Sequence, residues 1–407
     1  MRTCWSVSSS KNDVGLNGFI AKLHGPLGFW YNDGMKNSAL NLLAAGVVSA
    51  GIAILSSGCC SQCCGDSCAA PKSCGCAKAP EACTCASPCV CADCGCVYGN
   101  WGIKLPYPDL NAAHLILEKG KDGKPTGLLL WRWGSPTPVE VTAIDAKSFT
   151  IRRPFSKPKG KENDKAAWRA LCVKATVNGN ALDATFCTVD GNCKAVDKVE
   201  KLCGKRNPPV GPAPDLAKAQ YGQPINLLAG TIADFELMGN GKLNGWSLKD
   251  GVLSNRIERD KNGKSTHKNG NLRTKRADFF DFNLKYEVRV LPGCNSGVYL
   301  RGIYEIQVAD TFGKPVDMHN MAAYYGRVTP KAAAEKPANE WQTVDVTLYK
   351  RHLTVVLNGV TIIEKAPVVG VTGGAMTSNE FVPGPLYIQG DHSDADFRNM
   401  VLTPILK

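Results

Sequence analysis

The stretch FFDFNLKYEVRV, residues 279–290, alternates without a break. Phe280, Phe282, Leu284, Tyr286, Val288 and Val290 fall on one side, and Asp281, Asn283, Lys285, Glu287 and Arg289 on the other. A helix, with its period of 3.6, cannot collect six alternate residues on one face. A period of two over a dozen residues is a strand with one face in a core and one in water. The segments that follow read the same way. TVDVTLYKRHLTVVLNGVTIIEK, residues 343–365, predicts three strands, with Asn358-Gly359 as a two-residue hairpin turn. GPLYIQGD and ADFRNMVLTPIL add two more. Helical periodicity is nearly absent, and TPKAAAEKPANE is expected to form one turn at most. Many short strands, tight turns and a single wet face predict an all-β, two-sheet sandwich of jelly-roll type over residues 223–407.

Residues 98–206 carry a second set of β-rich runs: AHLILEKG, GLLLWRWG, VEVTAIDAKSFTIRRP, ALCVKATVNG and ALDATFCTV. Asp122-Gly123 and Asn178-Gly179 supply turn signals between them. This predicts a smaller antiparallel barrel or sandwich. Its cysteines, Cys172, Cys187, Cys193 and Cys203, are even in number and are expected to form two disulfides. His114 reads as a surface histidine, and no catalytic constellation is evident. Residues 207–222 are rich in proline, which has no backbone donor for a ladder, and so read as a linker.

The N-terminal part has a different character. KNSALNLLAAGVVSAGIAILSSG, residues 36–58, places a lysine before a long apolar, small-residue run. This is the layout of a secretory signal, expected to start at Met35 within a leader of residues 1–58. A single-span anchor and lipid attachment at Cys59 are the alternatives, and all three place the remainder outside the cytoplasm, in a periplasm or on a cell surface. Residues 59–97 hold most of the chain's 19 cysteines, with C-x-C pairs at 74/76, 83/85, 89/91 and 94/96. Thiolates so spaced resemble metallothionein and suit soft metals. In an exported chain, disulfides in a spacer poor in apolar residues are the plainer reading. The formal charge of +12 comes from scattered lysines and arginines, with no arginine-rich helix. It describes a solvated basic surface and not a nucleic-acid interface. Contact with a membrane is expected only through the leader or a lipid anchor.

The candidate functional residues lie in NSGVYLRGIYEIQVAD, residues 295–310, and in QGDH, residues 389–392. Leu300, Tyr304, Ile306 and Val308 suit a core. Glu305 and Gln307, two apart, share the opposite face. Gln389 and Asp391 share a face with Tyr387, and His392 follows at the rim. If both strands belong to one sheet, a trough collects carboxylates, amides and aromatics, the groups a sugar needs. A solvated sheet face with surface pairs is the competing reading. Whether Arg301 joins the trough depends on the hairpin register.

Five stretches resemble the 3-keto-disaccharide (3-keto-glycoside) hydrolase family: GKLNGWSLKDGVLSN, LRTKRADFFDFNLKYEVRV, GCNSGVYLRGIYEIQVAD, NEWQTVDVTLYKRHLTVVLNGV and GPLYIQGDHSDADFRNMVL. They run in family order from about residue 223 to 405. The GNW stretch that begins the middle domain resembles a β module often found before this family's domain. The family's usual first motif is loosened here to FELMGNGKLNGW. The resemblance implies a concanavalin-like jelly roll and action on glycosides already oxidised at C3. It implies Glu305 and His392 as catalytic residues. Arg301, Gln307, Gln389, Asp391, Asn295 and Ser296 would bind substrate, with Lys275, Glu287 and Tyr325 as further contacts. No organic cofactor is expected. A divalent metal, if used, would be held by Glu305, Asp310 and His392. Trp341 is read as core before it is read as a surface for a sugar ring, and His319 in VDMHNMAAYYG as an extra ligand or a loop histidine. A non-catalytic carbohydrate-binding module on a cell-surface stalk is the runner-up, since jelly rolls serve both uses.

Overall fold

A computed structural model describes residues 96–238, 244–262, 269–390 and 394–406. The leader, nearly all of the cysteine cluster, and Asp391 and His392 lie outside the described residues. The first β region is a closed antiparallel barrel of eight strands in sequential order. These are β1 (Gly99–Lys104), β2 (Ala112–Lys119), β3 (Pro125–Trp131), β4 (Trp133–Ile144), β5 (Ser148–Arg152), β6 (Ala170–Asn178), β7 (Ala181–Val189) and β8 (Glu200–Asn207). Closure comes from β1 pairing with β8, which leaves no free edge. Trp101, Leu115, Leu117, Leu129, Phe149 and Ile151 fill the interior.

The second region is a two-sheet sandwich. Its strands are β9 (Ile225–Asn226), β10 (Phe235–Met238), β11 (Trp246–Lys249), β12 (Val252–Asn255), β13 (Asn271–Thr274), β14 (Phe282–Val290), β15 (Asn295–Leu300), β16 (Tyr304–Ala309), β17 (Gln342–Tyr349), β18 (His352–Leu357), β19 (Val360–Pro367), β20 (Tyr387–Ile388) and β21 (Ala395–Pro404). One sheet runs β10-β13-β20-β15-β16, and the other runs β11-β12-β21-β14-β17-β18-β19. The alternation of residues 282–290 does what it demands. Phe282, Leu284, Tyr286, Val288 and Val290 are buried between the sheets, opposite Val298, Leu300, Tyr304, Ile306 and Val308. Phe280, outside β14, is 40 % exposed, and the Arg301 guanidinium lies 4.3 Å above its ring. Asn358 and Gly359 both take positive φ, 50° and 84°, as a primed hairpin turn requires. The β17–β18 turn does the same with Lys350 and Arg351, at 48° and 58°, and no glycine announces it. Residues 329–340 form turns and no helix.

Three expectations are corrected. Cys172, Cys187 and Cys193 are free thiols, and Cys203 is disulfide-bonded outside this set. The register keeps Cys203 from this set: Cys172 faces Cys187 across β6–β7, while Cys203 on β8 faces Asp183. Trp341, read as core, is half-buried on the outer side of the larger sheet, with Arg398 at 4.0 Å and Arg289 at 4.9 Å from its ring. His114, read as surface, is 1 % exposed. It sits where the barrel meets the sandwich, tight against Gly370, a position with φ +79° and no room for a Cβ.

That junction is polar as well as apolar. Ala112 and Leu130 of the barrel join the sandwich core. The fully buried Glu380 accepts from Tyr304 Oη at 2.9 Å, from the Gly370 amide at 3.1 Å and from Asn207 of the barrel. Burial pushes the Glu380 carboxyl above its ordinary range, and the Arg351, Arg327 and Arg301 charges work against that rise. His114 has no hydrogen-bond partner on either ring nitrogen. Burial, then Arg327 and Arg351, hold its pKa well below the ordinary value of 6.5. The folded protein therefore keeps this ring neutral where the unfolded chain binds a proton, and stability is lost as pH falls below about 6.5. His114→Leu is expected to remove this loss. Urea midpoints at pH 7 and pH 5 test it, because one proton is worth up to about 1.4 kcal/mol per pH unit. Equal pH dependence in the variant and the native chain would mean that the ring is protonated in the fold.

Candidate active site

The hairpin β15–β16 carries the site, and its register fixes which residues share a face. Gly297 pairs with Gln307, Tyr299 with Glu305, and Leu300 with Tyr304, so residues 301–303 are the loop. Arg301 takes φ 56° and Gly302 takes 69° there. Tyr299 also pairs with Tyr387 on β20, and Tyr387 with Arg273 on β13. The face away from the core thus presents Asn271 and Arg273, Tyr387, Gly297 and Tyr299, and Glu305 and Gln307, in successive strands. Gln389, just past β20, continues it.

This face is not in water. Glu305 is 4 % exposed and Gln307 2 %. Leu110 of the barrel and Met376 of the loop after β19 cover it, packing with Met238, Tyr299 and Tyr387. Tyr299 and Tyr387 stack at 4.1 Å. The Glu305 side chain lies across β15 in the space left by Gly297, where an added Cβ would meet Oε1 at 2.4 Å. Tyr299 Oη stands 2.8 Å from both Glu305 Oε2 and the Gly373 carbonyl, between two acceptors for one proton. Burial, then the Glu305 charge, pushes the Tyr299 phenol well above its usual value, so it stays protonated and donates. The Glu305 amide donates to Thr372 Oγ1 at 3.0 Å. Asn271 Nδ2 donates to Tyr387 Oη at 2.9 Å. Gln389 Oε1 is buried without a partner, an acceptor left for something else.

A loop after β16 brings further groups. The Tyr325 amide donates to the Glu305 carbonyl at 3.1 Å, and the Tyr325 ring meets the His319 ring edge-on at 5.1 Å. Gln307 Nε2 donates to the His319 carbonyl at 3.2 Å. The imidazole itself is held from both sides: Nδ1 contacts the Asp317 carboxylate, and Nε2 lies 2.7 Å from Ser135 Oγ of the barrel. An acid–base histidine positioned by a carboxylate is thus available beside the trough. Only the VDMH stretch signalled it, and a loop histidine was the plainer reading of that signal.

Other expected residues fall elsewhere. Arg301 points out of the trough and donates to the Glu380 and Val382 carbonyls at 2.8 and 2.6 Å, so it anchors a loop. Ser296 has the parity of Val298 and Leu300, lies under the sheet and donates to the Gln389 carbonyl at 2.7 Å. Asn295 starts β15 at the far end from Glu305. Lys275 is exposed beyond β13, two strands from β15. Glu287 belongs to the other sheet, where it pairs with Arg398 at 2.7 Å and Asn399 at 2.8 Å on the outer side. Its alternation was read correctly, but alternation does not say which sheet a strand joins. Asp310 accepts from the Gly293 amide at 2.8 Å. It sits five residues along from Glu305, or about 17 Å of extended strand, so the two cannot share an ion. Among the described residues no three His, Cys, Asp or Glu side chains come together to hold a metal.

Residues 234–403 match the family of 3-keto-alpha-glucoside-1,2-lyase-like domains, the family that the five stretches resemble. No curated protein matches the chain. Similar solved structures include two from Parabacteroides distasonis described as candidate glycosyl hydrolases. One is 26 % identical over 42 % of this chain and 79 % of its own, with a TM-score of 0.34. The other is 21 % identical over 44 % and 98 %, also at 0.34. A carbohydrate-binding module from Bacillus subtilis is 12 % identical over 41 % and 93 %, at 0.27.

The space over Gly297 gives a direct test of this geometry. Gly297→Ala is expected to displace the Glu305 carboxylate and to cost about 1–3 kcal/mol, as overpacking does in a tight site. Urea unfolding measures it, and an unchanged midpoint would mean that the carboxylate moves aside freely.

Proposed function

We propose that the sandwich, which matches a 3-keto-alpha-glucoside-1,2-lyase-like domain, cleaves glycosides already oxidised at C3, with Glu305 as the base. The observation that carries this reading is one desolvated carboxylate, fixed by a phenol that stays protonated, on a sheet face shared with amides and tyrosines. A ketone at C3 acidifies the proton on C2. Glu305 takes that proton, and the C2–H electrons form the C2=C3 double bond of an enediolate with charge on the C3 oxygen. Collapse of that charge re-forms the ketone, moves the double bond to C1=C2 and expels the C1 oxygen substituent, which needs a proton. Water then adds across C1=C2, with oxygen to C1 and hydrogen to C2. The chemistry calls for one base, one acid and donors for the enediolate. It does not call for the opposed carboxylates of ordinary glycosidases.

His392, expected from the family resemblance, and the His319–Asp317 pair are the two candidates for the acid. Gln307 and Gln389 are the amides nearest the base, and Tyr325 adds an aromatic edge. Since Glu305 and Asp310 do not fit one ion, no step here is routed through a metal. The reading places the enzyme outside the cytoplasm, as the leader suggests, with an oxidised carbohydrate as its substrate.

The binding-module reading keeps one observation of its own. The outer side of the larger sheet holds an open groove of about 430 Å³ lined by Tyr221, Asn283, Lys285, Asp345, Thr347 and Thr354. Hydroxyls, an amide and an exposed tyrosine suit plain glycans. The two readings separate in one experiment. The full chain is incubated with p-nitrophenyl 3-keto-glucoside and with p-nitrophenyl glucoside. Release from the oxidised sugar alone, falling about 10²–10⁴-fold in Glu305→Gln, is the expected result. Turnover of neither, with binding of the parent glycoside, would leave the module.

A further inference from the structure

We propose that the barrel supplies part of the substrate site, with Trp133 as a stacking platform for a ring-shaped leaving group. The inference rests on the reading of the sandwich as a 3-keto-glycoside-cleaving domain. Trp133 lies outside the matched residues 234–403.

Trp133 opens β4 directly after the turn at Arg132, whose φ of 60° folds WRWG back on itself. This turn is driven into the sandwich. The Gly374 amide donates to the Arg132 carbonyl at 2.6 Å. At Gly373 an added Cβ would meet the Gly134 carbonyl at 2.3 Å, so two backbones touch with no space for a side chain. Ser135, two residues on, holds His319. The hairpin is therefore fixed against the site from both ends.

The indole placed by this clamp is 51 % exposed, although Gly373 and Gly374 of the facing loop are buried. Arg132 lies 4.9 Å from its ring on one side and is itself held by the Leu110 carbonyl and the Tyr107 ring. A Cβ built on Gly374 would meet Tyr299 Oη at 2.8 Å and Trp133 Cζ3 at 3.5 Å. The indole edge and the phenol that holds Glu305 thus flank a single point. A large flat apolar group, fixed in orientation, backed by a cation and half exposed, is a surface for a ring to stack on. An alkyl leaving group would gain little from it. No local pattern pointed to it, since the barrel showed no catalytic constellation and Trp133 is a strand residue in an ordinary β run.

The experiment compares Trp133→Ala with the native chain on two substrates, p-nitrophenyl 3-keto-glucoside and methyl 3-keto-glucoside. kcat/KM is expected to fall about tenfold for the ring-bearing substrate, mostly in KM, and less than threefold for the methyl glycoside. Trp133→Phe restores most of the loss. Equal losses on both substrates, or no loss on either, would overturn the proposal. Should the native chain turn over neither substrate, the reading of the sandwich fails and a binding measurement decides about Trp133. Calorimetric titration with the parent p-nitrophenyl and methyl glucosides is then expected to show ring-selective binding that Trp133→Ala removes. Binding that is unselective, unchanged in the variant or absent counts against the platform.

Discussion

A sheet face that carries a carboxylate, three amides and stacked tyrosines, and is shut off from water, must satisfy its own polar groups. That constraint shapes the molecule around β15 and β16. Glu305 has space because residue 297 is a glycine, and it has a donor because Tyr299 lies directly opposite in register. The cover that removes water is built by Leu110 of the barrel and by the loop that follows β19. The loop is pinned to the hairpin by the Thr372 amide on the Ile303 carbonyl at 3.0 Å and the Met376 amide on the Gly302 carbonyl at 2.9 Å. A carboxylate held this way is poorly solvated and fixed in orientation, the condition under which one proton abstraction is cheapest.

The barrel is part of that arrangement and not a neighbour on a string. Glu380, buried at the junction, gathers Tyr304 of the hairpin and Asn207 of β8 on one carboxyl group. Breaking a buried, multiply bonded carboxylate leaves its partners unpaired, which costs more than the bonds are worth in water. The hub therefore locks the register between barrel and sandwich, and with it the positions of Ser135 and Trp133. A function that depends on relative position is better served by such a lock than by a flexible linker.

Much of the fold was legible because burial on one side of a strand writes itself into alternate residues. The run from Phe282 to Val290 and the Asn358-Gly359 turn show this directly. The faces of Glu305 and Gln307 were also legible, since two-residue spacing fixes them relative to each other. Less visible was everything that depends on a partner far along the chain. Ser296 has core parity, and Glu287 belongs to a sheet whose outer side faces away from Glu305. Arg301 sits in the hairpin loop and reaches carbonyls eighty residues on. His114 looked like a surface histidine because nothing local shows that the sandwich covers it. Trp133 and Ser135 reach the site only through the docking of two domains, and no periodicity within either reports a docking. Asp391 and His392 lie outside the described residues, so their part in the site stands on the family resemblance.

All of the proposed chemistry hangs on Glu305 removing the C2 proton of an oxidised ring. The most direct measurement runs the reaction of the full chain in D2O and reads hydrogen at C2 of the released 3-keto sugar by proton NMR. Deuterium is expected at C2 in each product molecule, with no comparable labelling of substrate held with Glu305→Gln. Product that keeps its original C2 hydrogen, together with no primary isotope effect on substrate deuterated at C2, would mean direct displacement at C1 and no proton abstraction by Glu305.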